Sequence, residues 1–95
     1  MFHTYVLYSN SANKYYIGHT NDIERRILEH NEISENSYTA KFRPWTLMVH
    51  LTFDIRSQAM AAEKYLKKKP RVFIKRLIDE IDLQEYVLDK YSSAD

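Results

Sequence analysis

An α+β fold is what this sequence predicts: a three-stranded antiparallel β-sheet flanked by helices, in the order β-β-α-β-α-α. Three observations lead there. Two short β-rich stretches, HTYVLYS (3–9) and KYYIG (14–18), are separated by the polar turn formers of SNSANK. A longer, mostly apolar stretch, WTLMVHLTF (45–53), follows Pro44. The remainder is dominated by helix-forming segments, and helices packed on an antiparallel sheet are the usual way to bury both.

Each element has a local reason. The first two stretches, joined by so short a polar turn, read as a β-hairpin. Asn21, with Glu24 three residues on, resembles a capping box and starts the first helix. Residues 32–43 are polar and ambiguous, a loop with a helical turn. The second helix starts near Ser57 and runs through AMAAEKYLKK, all good helix formers. The third follows Pro70, a residue suited to a helix start, with Val72, Phe73, Leu77 and Ile81 as its apolar positions. The reading gives one domain over residues 1–83 and a polar C-terminal tail over 84–95.

Composition limits the function. The chain has 95 residues, 44% of them hydrophobic, with one glycine and two prolines, so it is globular rather than disordered. A chain of this size buries roughly 60–65% of its unfolded surface. It has no apolar run long enough to span a membrane, and MFHTYVLYSN has neither the basic start nor the small-residue cleavage site of a signal peptide. Cysteine is absent, which excludes disulfides and thiol chemistry and fits a cytoplasmic location. The net charge is only +1, but Lys64, Lys67, Lys68, Lys69, Arg71, Lys75 and Arg76 follow one another without an acidic residue between them. Such a block suits a polyanion such as nucleic acid; a solvated helix face would look the same.

Several residues stand out at the edge of the predicted core. On the first helix Ile23 and Ile27 centre the apolar face. Arg26 and His30 lie four apart just beside it, where an arginine can rest its stem on apolar residues and aim its guanidinium across the sheet. Glu63 borders the apolar face of the second helix beside Ala59 and Leu66, where a carboxylate needs a counter-charge, a hydrogen bond or a metal. Tyr5 and Tyr16 lie on the hairpin strands. Core-edge packing and an ordinary salt bridge account for each of these residues taken singly. Gly18, the only glycine, closes the second strand where the backbone must turn sharply or let a substrate approach. His3, His19, His30 and His50 lack zinc-site spacing, one glycine cannot build a phosphate loop, and no serine sits in a GxSxG elbow.

In combination these residues resemble the GIY-YIG nuclease superfamily, in particular its small single-domain bacterial members. Tyr16-Ile17-Gly18 is an intact YIG, followed by HTNDIERRILEHN. His3-Thr4-Tyr5 stands where Gly-Ile-Tyr belongs and keeps only the tyrosine. Tyr5 and Tyr16 are eleven positions apart and Arg26 is ten beyond Tyr16, as the family pattern has them. KFRPWTLMVH and AMAAEKYLKK resemble the later strand and the glutamate-bearing helix, so the likeness runs over roughly residues 3–78.

The resemblance implies a phosphodiesterase acting on DNA. It assigns catalytic roles to Tyr5, Tyr16, Arg26, His30 and Glu63, with Glu63 holding Mg²⁺ (or Mn²⁺). A Tyr5 phenolate would help deprotonate the attacking water, Tyr16 would orient water or phosphate, Arg26 would stabilise charge on the phosphoryl oxygens, and His30 would move a proton or position the phosphate. Lys64, Lys67, Lys68, Lys69 and Arg71 are the expected nucleic-acid contacts, with Lys41 and Arg43 as additions. Branched, damaged or single-stranded DNA, cut with low sequence specificity in repair or recombination, is the expected substrate, with a protein partner choosing targets. Two other readings stay open: a nucleic-acid-binding module without catalysis, and a protein-interaction domain of a larger complex.

Overall fold

A computed structural model describes residues 1–33 and 38–92. Strands β1 (Phe2–Ser9), β2 (Lys14–Thr20) and β3 (Trp45–Phe53) form one antiparallel sheet in the order β2-β1-β3. The hairpin turns tightly, with Asn13 taking the left-handed conformation (φ 53°) that asparagine tolerates. Helix α1 (Ile23–Leu28) runs into a π-helical turn, Glu29–Ile33, and a 3₁₀ turn, Tyr38–Phe42, precedes β3. Helices α2 (Arg56–Lys67), α3 (Arg71–Asp79) and α4 (Ile81–Ser92) follow.

The central strand β1 faces two cores. Tyr5 and Leu7 join Trp45 on one face, where Tyr16, Ile23, Ile27, Phe42 and Leu47 pack. Val6, Leu51 and Phe53 join Ala59, Ala62, Leu66, Ile74, Leu77 and Val87 on the other. A register shift in β3 makes this possible. Val6 pairs with Val49 but Leu7 pairs with Leu47, so Met48 is an extra residue on β3 and is 39% exposed. Without that bulge, strict alternation would put Leu47 and Val49 on the same face.

Several local expectations change. The first helix is capped by Asp22, not Asn21: the Asp22 carboxylate accepts from the Arg25 backbone N–H at 3.1 Å. Thr20 in turn accepts from the Asp22 N–H at 3.1 Å, tightening the entry. On α3, Ile74 and Leu77 are buried and Val72 is 65% exposed, whereas Ile81, expected on the same helix, opens α4 and is 68% exposed. The expected polar tail from residue 84 is, through Ser92, part of helix α4, whose Val87 is fully buried and whose Leu83, Leu88 and Tyr91 pack on the same core. The ambiguous segment contains the 3₁₀ turn at Tyr38–Phe42, and residues 34–37 of it lie outside the described residues.

Candidate active site

The site begins with Tyr5 at the centre of β1, its ring 1% exposed. Opposite it on β2 stands Gly18. A Cβ added to Gly18 would lie 2.5 Å from the Tyr5 Oη and 2.7 Å from its Cζ. Gly18 sits inside β2 and does not have a positive φ. Its expected role as a turn is therefore corrected: the glycine is bare so that the Tyr5 ring can lie across the neighbouring strand. The group that comes close to Gly18 is the Tyr5 side chain, where a substrate was expected.

That ring placement brings Arg26 and His30 together. Arg26 Nε donates to Tyr5 Oη at 3.2 Å, and Tyr5 Oη shares a 2.9 Å hydrogen bond with His30 Nε2. The tautomer that gives every group a partner has the phenol proton directed at Nε2. The His30 Nδ1–H then donates to Thr39 Oγ1, 2.8 Å away. His30 lies on the π-helical turn, a distortion frequent at functional sites. Tyr16 stacks beside the network, its ring centroid 6.4 Å from that of Tyr5 and 4.8 Å from that of His30. Arg26 also reaches Glu29 at 3.2 Å.

Electrostatics set the resting protonation state of the phenol. Burial pushes the Tyr5 pKa up to about 12, against the pull of Arg26, and the charge of Glu63 adds to the rise. In this environment Tyr5 is a neutral phenol before metal and substrate arrive, so a phenolate base would need the added charge of a bound cation beside Arg26. Burial, aided by Arg26 and Arg43 and opposed by Glu29, lowers His30 to about 4. His30 is therefore neutral when folded but titrates near 6.5 when unfolded. Between those values the unfolded chain binds the extra proton, so this contribution to stability is complete above pH 6.5 and falls as the pH drops toward 4. The loss by pH 5 is expected to be about 2 kcal/mol. Urea unfolding at pH 7.5 and pH 5 should show it, with a flatter pH response in His30→Gln.

Glu63 approaches from the opposite face of the sheet, where it meets the C-terminal end of β2. Its Oε1 is 2.5 Å from His19 Nδ1 and its Oε2 is 2.6 Å from Lys67 Nζ. Burial would raise its pKa, but hydrogen bonds from Lys67 and His19 outweigh that and hold it below the ordinary carboxylate value. His19 was not singled out among the sequence candidates. It lines two depressions that meet at this edge. One, about 230 Å³, is rimmed by Arg25, Arg26, Glu29 and Arg56, and the other, about 470 Å³, holds Glu63, Met60, Lys64, Lys67 and Lys68. The site thus wraps around edge strand β2, with arginines on one side and the carboxylate on the other.

Among the described residues no three histidine, cysteine or acidic side chains converge on a point. A lone carboxylate at a solvent-facing edge fits hydrated Mg²⁺, which is commonly held by one or two carboxylates with waters and substrate phosphate completing its shell. Lys67, a partly exposed side chain, would have to release Glu63 to admit the ion.

The basic residues do not form one patch. Lys64, Lys67 and Lys68 line the groove beside Glu63. Lys69 lies 4.6 Å from the Tyr65 ring centroid. Arg71 is turned away, stacked 4.8 Å from the Tyr15 ring centroid and bonded to Asn13. Arg43 donates to the carbonyls of His30 (2.6 Å) and Glu29 (3.3 Å), so it holds the end of the helical segment in place.

Known proteins are similar to this chain in sequence and fold. The GIY-YIG catalytic domain family model matches residues 1–75. A UPF0213 protein of Halobacterium salinarum is 39% identical over 71 residues, covering 75% of this chain and 91% of that protein. The UPF0213 protein YazA of Bacillus subtilis is 35% identical over 69 residues, covering 73% of this chain and 70% of YazA. A solution NMR structure of a UPF0213 protein from Bacillus halodurans superposes with a TM-score of 0.54 at 25% identity, covering the whole of both chains. No helix among the described residues is long and apolar enough to cross a membrane. A family model that spans most of the chain, on a sheet that seats Tyr5, Tyr16 and Gly18 together, establishes that the chain belongs to the GIY-YIG catalytic domain family.

Proposed function

We propose that the protein is a divalent-cation-dependent nuclease that hydrolyses phosphodiester bonds in DNA. The observation that carries this reading is the meeting of a guanidinium network and a half-buried carboxylate at one sheet edge, linked by His19. Mere binding of a polyanion has no use for a carboxylate beside the phosphate, whereas hydrolysis has use for a cation held there. Mg²⁺ at Glu63, when bound, supplies charge neutralisation at phosphate oxygens and acidifies water.

The residues divide the remaining work. Arg26 offers its fork to the phosphoryl oxygens and never deprotonates. Tyr5 fixes the Arg26 Nε, and His30 with Thr39 fixes Tyr5, so the guanidinium is aimed before substrate arrives. Tyr16, half-buried beside them, orients the phosphate or the water. His19 steadies one oxygen of Glu63. Lys64, Lys67 and Lys68 supply phosphate contacts, giving salt-sensitive binding with little sequence preference. Branched, damaged or unpaired DNA, met in the cytoplasm during repair or recombination with a partner protein choosing targets, is the setting that suits so small a basic surface.

Plasmid nicking and oligonucleotide cleavage by the native protein at low salt test this reading. Cleavage is expected with Mg²⁺ or Mn²⁺ and not with EDTA. Salt-sensitive DNA binding without cleavage would establish a binding module instead, and indifference to DNA would leave the protein-interaction reading.

A further inference from the structure

The groove beside Glu63 continues beyond the candidate site. A third depression, about 290 Å³, is lined by Ala61, Lys64, Tyr65, Lys68 and Tyr91, and it shares Ala61, Lys64 and Lys68 with the one that holds Glu63. Through these shared residues the two adjoin along α2, and the further one reaches the last turn of α4. Lys64 and Lys68 stand one helical turn apart along α2, both exposed and without an ion-pair partner among the described residues. Among the described residues Glu63 is the only acidic one lining either depression.

The far end is aromatic. The Tyr65 and Tyr91 rings lie 5.4 Å apart, tilted by 55°. Lys69 Nζ sits 4.6 Å from the Tyr65 centroid, and Lys90 Nζ lies 5.6 Å from Tyr65 and 5.8 Å from Tyr91. Lysines alone would suit any polyanion. Lysines alternating with ring faces suit one whose bases are uncovered, because a duplex presents phosphates but keeps its base faces stacked inside.

We propose that this groove is a binding track for an unpaired DNA strand, running from Glu63 to Tyr91. Lys64 and Lys68 pair with successive phosphates and Tyr91 stacks on a base. The proposal rests on the nuclease reading of the adjoining site and names its substrate: a strand that is single where it crosses α2.

Fluorescence anisotropy with a labelled oligothymidylate and a duplex of equal length, in EDTA, tests it. The single strand is expected to bind more tightly. Tyr91→Ala should weaken single-strand binding about tenfold, within the range for loss of one base–aromatic stack. Duplex binding should stay unchanged, and Tyr91→Phe should bind as the native protein does. Lys64→Ala with Lys68→Ala, both at exposed positions, should flatten the single-strand salt dependence by a slope of roughly 1.4, at about 0.7 per phosphate contact. Circular dichroism checks that each variant folds.

Equal or tighter duplex binding, a Tyr91→Ala protein matching the native one, or an unchanged salt slope would each overturn the track. Binding of an acidic protein partner in place of any oligonucleotide would overturn it too. Metal-dependent cleavage together with any of the first three results would remove the track and leave the nuclease reading. Track binding without cleavage would do the reverse.

Discussion

Under the proposed nuclease activity, Arg26→Lys is expected to lower the cleavage rate by about 10²–10³-fold, the cost of removing a donor aimed at developing charge. Lysine keeps the positive charge but loses the fork that lets one end of the side chain bond Tyr5 Oη while the other faces solvent and Glu29. Single-turnover cleavage with saturating enzyme separates this loss from weaker binding. The rate of the chemical step should fall while DNA affinity, carried largely by the lysines of α2, changes little. A fall in affinity with the rate preserved would make Arg26 a binding residue only.

Gly18→Ala has the second large effect, and it reports on architecture. The new Cβ would meet the Tyr5 hydroxyl at 2.5 Å and the ring carbon at 2.7 Å. Tyr5 is enclosed by Leu7, Trp45 and Tyr16 and cannot swing away without disturbing that core. Overpacking of this kind costs about 1–3 kcal/mol, measurable as a lower denaturation midpoint. Cleavage should fall further than stability explains, because moving Tyr5 unseats both Arg26 and His30. Adding Tyr5→Phe removes the 2.5 Å contact but keeps the one at 2.7 Å, so the double variant should recover part of the stability and little activity. Full additivity of the two substitutions would show that ring and glycine do not press on each other.

These residues also show where reading the chain succeeds and where it stops. Strand β3 was legible from Trp45 to Phe53 because an apolar run follows Pro44, and α3 begins just after Pro70 for a similar reason. The clearance at Gly18 was not legible as such. It depends on the register that pairs Tyr5 with Gly18, and only the folded hairpin sets that pairing. His19 had no sequence signal, since its partner Glu63 lies 44 residues away on a helix that packs on the other face of the sheet. Helix α4 was hidden by its acidic residues, although Leu83, Val87, Leu88 and Tyr91 recur at helical spacing. Arg26 and His30 were placed side by side by helical spacing, yet what joins them is the phenol of a different element. The neutral state of the unliganded phenol has the same origin. Enclosing Tyr5 tightly enough to aim Arg26 also deprives it of the water that would stabilise its charged form.

The central claim is that Glu63 belongs to a phosphodiesterase site and is more than a surface ion-pair partner. Its most direct test is plasmid nicking by native and Glu63→Ala proteins, purified identically, in Mg²⁺, Mn²⁺ and EDTA, with thermal unfolding and DNA affinity measured alongside. Metal-dependent nicking that vanishes in Glu63→Ala, with folding and DNA binding retained, is the predicted result. Equal nicking by both proteins would contradict it.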